Sequence, residues 1–195
     1  MATSADVLTK SQAARRQRVL VAALQLGADG GYDAVQMRDV AASAGVALGT
    51  IYRYFPSKDA LLAAAMVEWM EDLERRVTQK APKGDTTAER VYDVLRRAIA
   101  TMERQPKLAE AVITALTSDD REAGGASVAT TDVMQRVMLR AFPDDVDAVT
   151  EAAIAKVLGH VWFSCLIAWS NGVGDLVWVA EELETACHLL CDHLG

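Results

Sequence analysis

Cysteine is scarce. The chain of 195 residues has three, Cys165, Cys187 and Cys191, an odd and sparse set that excludes the dense, even framework of a small secreted disulfide scaffold and reads as reduced thiols. Proline (4) and glycine (12) are few while 51% of the residues are hydrophobic, which excludes the composition of a disordered chain. The opening MATSADVLTK has no apolar stretch behind a basic start, so no secretory signal is expected and a cytoplasmic location is. An uninterrupted apolar run of membrane length is missing: the most apolar stretch, Ala152 to Trp169, reaches it only by including Lys156, Gly159, His160 and Ser164. That is the pattern of a helix buried between protein surfaces, and no membrane partner is expected. Strict apolar/polar alternation is also absent, and helical periodicity dominates throughout, so the fold class is read as all-α. There is no internal repeat and no low-complexity tract.

Charge is present but unevenly placed. The net charge of -7 argues against a wholesale polyanion binder. Residues 1–64 nevertheless hold seven Lys/Arg against five Asp/Glu, whereas residues 65–195 hold thirteen against twenty-two. Two regions with different partners follow, divided as 1–56 and 57–195.

The predicted helices number about nine. Thr9 and Gln12 have capping-box spacing, and Val19, Ala22, Ala23 and Leu26 share one face until Gly30-Gly31. Short helices follow at Met37 to Ala44 and Leu48 to Tyr54, stopped by Gly45 and Pro56. Ser57 can cap a long fourth helix running to about Lys80, striped by Leu62, Met66, Trp69, Leu73 and Val77. APKGD is the clearest linker. Thr86 with Glu89 opens a fifth helix, and Pro106 a sixth at its favoured first turn. Ser118 to Ser127 reads as a loop before a seventh helix carrying Val133, Met134, Val137 and Met138, ended by Pro143. Two last helices, about Val146 to Ser170 and Leu176 to Leu194, are split by the turn NGVG.

The strongest functional signal lies at residues 37–56. Ala41 is small where two helices must cross, Gly45 can take the positive φ of a tight turn, and Ile51 is the apolar anchor of the second helix. This spacing describes a helix-turn-helix. Taken alone it also fits any two short helices joined by a glycine, but Thr50, Tyr52, Arg53 and Tyr54, followed by Lys58, add hydroxyls, a guanidinium and aromatic faces where acidic residues are few. Such a surface suits phosphates and base edges.

The stretch MRDVAASAGVALGTIYRYFPSKDALLAAA, preceded by RRQRVLVAALQLGADGGYDAVQ, resembles the N-terminal domain of the TetR family of bacterial transcriptional regulators over about residues 15–65. The resemblance implies a homodimer on a palindromic operator, usually a repressor released when a small molecule enters the larger C-terminal domain. It implies DNA contacts by Arg38 on the second helix, a recognition surface of Ala47, Leu48, Gly49, Thr50, Arg53 and Tyr54, and phosphate contacts by Tyr52 and Lys58. Two departures stand out. Val35-Gln36 replaces the family's usual Thr or Ser before the second helix, removing a hydroxyl cap. Gly27 sits where the first helix commonly ends in a core Phe, so the packing there is either looser or filled from elsewhere. With VQMR, VALGTIYRYFPSK and VWFSCLIAW, the chain resembles the branch that represses sterol and cholesterol catabolism in actinobacteria, which implies an effector that is a steroid carboxylate carried as its coenzyme A thioester. No cofactor is expected.

In the eighth helix Leu158, Trp162, Leu166 and Trp169 recur near helical spacing beside Phe163 and Ile167, so both faces need covering. An ordinary core helix satisfies this. With the resemblance, one face lines a ligand cavity and the other a partner subunit, and Met102, Leu116, Met134 and Met138 are further candidates for the cavity wall. Cys187, His188, Cys191 and His193 suggest a metal or redox sensor, but cysteine also serves as a small buried apolar residue and no other Cys or His pair lies nearby to complete four ligands. Cys165 with His160 is a poor nucleophile pair, being five residues apart on a helix. A regulator is the favoured reading over an enzyme using the apolar cavity.

Overall fold

The computed structural model describes residues 9–194; residues 1–8 of the expected DNA-binding unit and Gly195 lie outside it. The described elements are all helical. Helix α1 (Lys10–Gly30) opens on the expected capping box: the Gln12 backbone N–H donates to Thr9 Oγ1 at 3.3 Å and the Thr9 N–H to Gln12 Oε1 at 2.7 Å. A single 3-10 turn, Tyr32–Ala34, which the sequence reading lacked, leads into α2 (Met37–Ala44) and α3 (Leu48–Tyr54). Gly45, at φ 64°, lets the Val46 N–H reach Ala41 O at 3.0 Å and closes the turn between them. Arg18 from α1 donates to Ala44 O at 3.2 Å, capping the end of α2.

Helix α4 (Lys58–Thr78) starts where Ser57 Oγ accepts the Ala60 N–H at 2.9 Å. Its buried stripe of Leu61, Leu62, Ala65, Met66, Met70 and Leu73 makes it the spine of the molecule, packed on α1 at one end and on the later helices along its length. The side chain of Val77, expected on this stripe, lies outside the described set. Helix α5 (Thr87–Arg104) has the second capping box, with the Glu89 N–H on Thr86 Oγ1 at 3.2 Å, and α6 (Pro106–Leu116) has its proline in the first turn.

Helix α7 (Arg121–Leu139) departs from expectation at both ends. It begins at Arg121 and runs through Gly124-Gly125, which the sequence reading placed in a loop. Two glycines disfavour a helix by about 1 kcal/mol each, yet the stripe Val133, Met134, Val137 and Met138 is buried against α4 and carries the helix through them. It stops four residues before Pro143, because the chain tightens there: Ala141 N–H bonds Met138 O at 2.9 Å, burying Ala141 and Phe142. Helix α8 (Ala148–Ser170) begins two residues later than expected, since Asp147 is its cap, accepting the Val149 and Thr150 N–H groups at 3.1 and 3.0 Å. Helix α9 (Leu176–Cys191), capped by Asp175, ends in a 3-10 turn, Asp192–Leu194.

By length and composition α8 could cross a membrane. Its inward side, including Ile154, Leu158, Gly159, Trp162 and Leu166, is instead buried against α6, α7 and α9, so it is the core helix of the C-terminal half.

Candidate nucleic-acid interface and effector cavity

Ile51 is fully buried and Phe55 nearly so, and these inward anchors turn the other side of α3 to solvent. Gly49, Tyr52 and Arg53 are exposed, Leu48, Thr50 and Tyr54 half-buried, and Ala47 at the N-cap and Arg38 in the first turn of α2 exposed. The Arg53 guanidinium stacks on Tyr54, its carbon 5.3 Å from the ring centroid, which orients the charge along the exposed face. No acidic residue occurs on α3. A negative backbone laid on this face would meet hydroxyls, an aromatic edge and a guanidinium, with no acidic side chain of α3 opposing it.

Lys58, at the start of α4, is held in place. Its Nζ lies 3.5 Å from the Tyr32 ring centroid and donates to Tyr32 O at 3.0 Å, while the Tyr32 hydroxyl donates to Asp59 Oδ1. Burial first, then the bond to Asp59 and the nearby charges of Asp59 and Asp33, push the Tyr32 phenol up to about 12, so it remains a donor at any physiological pH. Sequence reasoning missed this pair, which joins residues 26 positions apart. At the front of α2, Gln36 is the N-cap and makes no capping bond; its side-chain amide donates backwards to Asp33 O at 2.8 Å.

A narrow cavity of about 30 Å³ lies in the C-terminal half. Its α8 wall is Gly159, Trp162, Phe163 and Leu166; α4 contributes Met66, α6 contributes Ile113 and Leu116, and α7 contributes Thr130, Thr131 and Met134. Of the eight residues expected to bind ligand, Leu116, Met134, Trp162, Phe163 and Leu166 are thus brought together. Met102, Met138 and Trp169 lie elsewhere: the first two are buried core and the third packs half-buried near the end of α8. Met66, Ile113, Gly159 and the two threonines went unread, because each looks like ordinary helix filling until four helices are assembled. A larger open groove, about 380 Å³, lies among α1, α4 and α5; Asp72 there pairs with Arg75 at 3.2 Å and Arg76 at 2.5 Å, beside the apolar Val21, Leu24 and Trp69.

Residues 19–65 match the family described as bacterial regulatory proteins, tetR family, and residues 84–190 match the tetracyclin repressor-like C-terminal domain. The HTH-type transcriptional repressor KstR of Rhodococcus jostii is 38% identical over 185 residues, 95% of this chain and 86% of that one. The chain belongs to the TetR family. The KstR repressor of Mycobacterium tuberculosis is 33% identical over 182 residues, 93% of this chain and 83% of its own. A crystal structure of a TetR transcriptional regulator from Rhodococcus sp. RHA1 is 31% identical with a TM-score of 0.77, covering 93% of this chain and 97% of that one. Thermus thermophilus FadR, a TetR-family repressor in complex with lauroyl-CoA, shares the fold at 24% identity and a TM-score of 0.68, with 90% and 92% of the chains covered.

TetR-family repressors bind operator DNA as dimers and answer small molecules, and two features of this member bear on that. First, α8 and α9 leave an open groove lined by Val161, Cys165, Ala168 and Trp178 together with His160, Ser164 and Glu182, with Val157 45% and Val177 59% exposed. Second, the cysteine-histidine cluster is split by its helix. Cys187 and Cys191 face inward, where burial pushes their thiols up to about 12 and about 11. His188 and His193 face solvent, His188 bonded to Asp192 at 2.9 Å. Among the described residues no group of three or more such side chains is placed to hold a metal ion.

Proposed function

We propose that this TetR-family regulator is a cytoplasmic repressor of steroid or lipid catabolism that leaves its palindromic operator when a bulky apolar acyl thioester, a steroid carboxylate on coenzyme A, enters the α4–α6–α7–α8 cavity. Residues 1–56 read DNA and residues 57–195 bind effector and dimerise through α8 and α9. The chemistry of the wall supports this effector class: Trp162 and Phe163 supply large flat apolar faces, and Thr130 and Thr131 bring hydroxyl groups to the lining. The branch resemblance carried by VQMR, VALGTIYRYFPSK and VWFSCLIAW supports the steroid. The lauroyl-CoA complex of the FadR relative supports the thioester.

The observation that carries the reading is the small size of the cavity together with Met66 of α4 in its wall. A ligand far larger than about 30 Å³ enters only when α4 and α8 part, so it favours a conformer in which α4 has moved, and differential affinity of this kind is what shifts an equilibrium. The other end of α4 begins at Ser57 and Lys58, beside the DNA surface. Ser57 Oγ also donates to Asp120 in the α6–α7 joint, four residues beyond the wall residue Leu116.

The test is operator release titrated with a steroid-acyl coenzyme A thioester while tryptophan emission is followed. Trp162→Ala should lose most of both responses, and Trp169→Ala, outside the cavity, should keep operator release. Emission that responds while DNA stays bound would leave a pocket without a switch. Full response by Trp162→Ala would remove the cavity assignment.

A further inference from the structure

Two glycines are buried among the described residues, and they differ in what surrounds them. At Gly27 the place of a side chain is taken: a Cβ would stand 3.0 Å from Leu108 Cδ1 and 3.7 Å from Val35 Cγ2. At Gly159, beyond its own helix turn, nothing lies within 4 Å of where a Cβ would stand, although the residue is buried in the middle of α8. That empty space is the cavity, which Gly159 lines.

A glycine inside a helix is less stable there than alanine, because it orders more backbone and fills less space. Close packing explains such a glycine where a neighbour occupies the site, as Leu108 does at Gly27. No neighbour explains Gly159. We infer that Gly159 is the size-selecting residue of the effector cavity, its missing side chain leaving a bare strip of α8 backbone on which a broad, rigid apolar ring system lies. This rests on the cavity being the effector site. Trp162 and Phe163, three and four residues on, share this face of the helix and stand as flat walls at one end of the strip, while Ala155, four residues back, is small and buried. A rigid ring body cannot bend around a methyl group set in its floor. A straight acyl chain is thinner and turns about its own single bonds, so it passes the same methyl.

The experiment compares the full-length wild type with Gly159→Ala, Gly159→Leu and Trp162→Ala. Operator release is titrated with cholanoyl-CoA and with lauroyl-CoA, each midpoint scaled to that variant's own operator affinity, and thermal melting is recorded. Gly159→Ala should melt no lower than the wild type, need at least ten-fold more cholanoyl-CoA, and shift less than three-fold for lauroyl-CoA; Gly159→Leu should respond to neither. If both Gly159 variants keep the wild-type midpoint for cholanoyl-CoA while Trp162→Ala loses its response, the cavity stands and the role of Gly159 falls. If all three variants keep full response, the effector-site reading itself falls. A Gly159→Ala protein that melts well below the wild type would show that the space is not free, and would overturn the inference.

Discussion

Gln36 occupies the N-cap of α2 with extended backbone, φ -105° and ψ 135°, yet caps nothing. Serine there fits the same backbone and its hydroxyl reaches the free N–H groups, so Gln36→Ser should stabilise the protein by about 1 kcal/mol, read as a higher denaturant midpoint at unchanged slope. An unchanged or lowered midpoint would mean that the Gln36 amide bond to Asp33 O contributes more than a cap. Lys58 and Arg38 should divide by kind of contact. Removing Lys58 as alanine takes away one phosphate partner and should weaken every DNA sequence about equally, lowering the salt slope by about one. Arg38→Ala should instead relax preference at particular base pairs, by about 1–3 kcal/mol. Uniform losses in both variants with no change in base preference would displace the recognition surface. The missing hydroxyl at position 36 was legible from Val35-Gln36 alone, since a cap is a local matter. The grip of Tyr32 on Lys58 was not, because a ring-to-ammonium contact across 26 residues exists only after α1 has turned back over α4.

Among the elements, the helices with local signals were read within a residue or two: the capping boxes of α1 and α5, the Gly45 stop of α2, the proline start of α6. Where a tertiary contact overrides local preference the reading failed, as at the Gly124-Gly125 pair that α7 runs through. Gly27 lies between these cases. Its departure from the family's aromatic was visible in the sequence, and the structure shows what fills the gap: Leu108 of α6, itself 2% exposed, inserts against the end of α1. Lys107 beside it donates to Asp29 O at 3.1 Å. Helix α6 therefore completes the core of the DNA-reading half with one residue and lines the cavity with Ile113 and Leu116, a turn and two turns further along. Leu108→Ala should cost about 2–4 kcal/mol in urea unfolding. It should also raise hydrogen exchange at the end of α1 above that in α9. A loss below about 1 kcal/mol, or exchange raised only in α9, would show that the contact does not join the two halves.

For the molecule as a whole, the proposed palindromic operator calls for a second copy, as TetR-family regulators are dimeric. The net positive N-terminal part and the acidic remainder keep one end of the chain toward DNA and the other away from it. One α3 reaches only one half-site, and a palindrome mirrors two-fold symmetry in the protein. The groove of Val161, Cys165, Ala168 and Trp178, with His160, Ser164 and Glu182 also lining it and exposed Val157 and Val177 nearby, is a mixed but mainly apolar surface on the two helices farthest along the chain from α3. Val157→Glu and Ala168→Glu each place a charge at that groove while leaving the core-facing side of α8 untouched. Val161 on α8 and Leu190 on α9 are poorer probes, since each packs half-buried against the core. Both groove variants should keep the helical signal of the wild type and sediment as monomers. Without the second site held nearby, binding to a full palindrome should weaken by about 10²–10⁴-fold, while affinity for an isolated half-site should hardly change. Dimers of wild-type mass in both variants would move the interface off α8. Monomers that still bound the palindrome tightly would mean that DNA itself assembles the pair, and that the groove serves only the free protein.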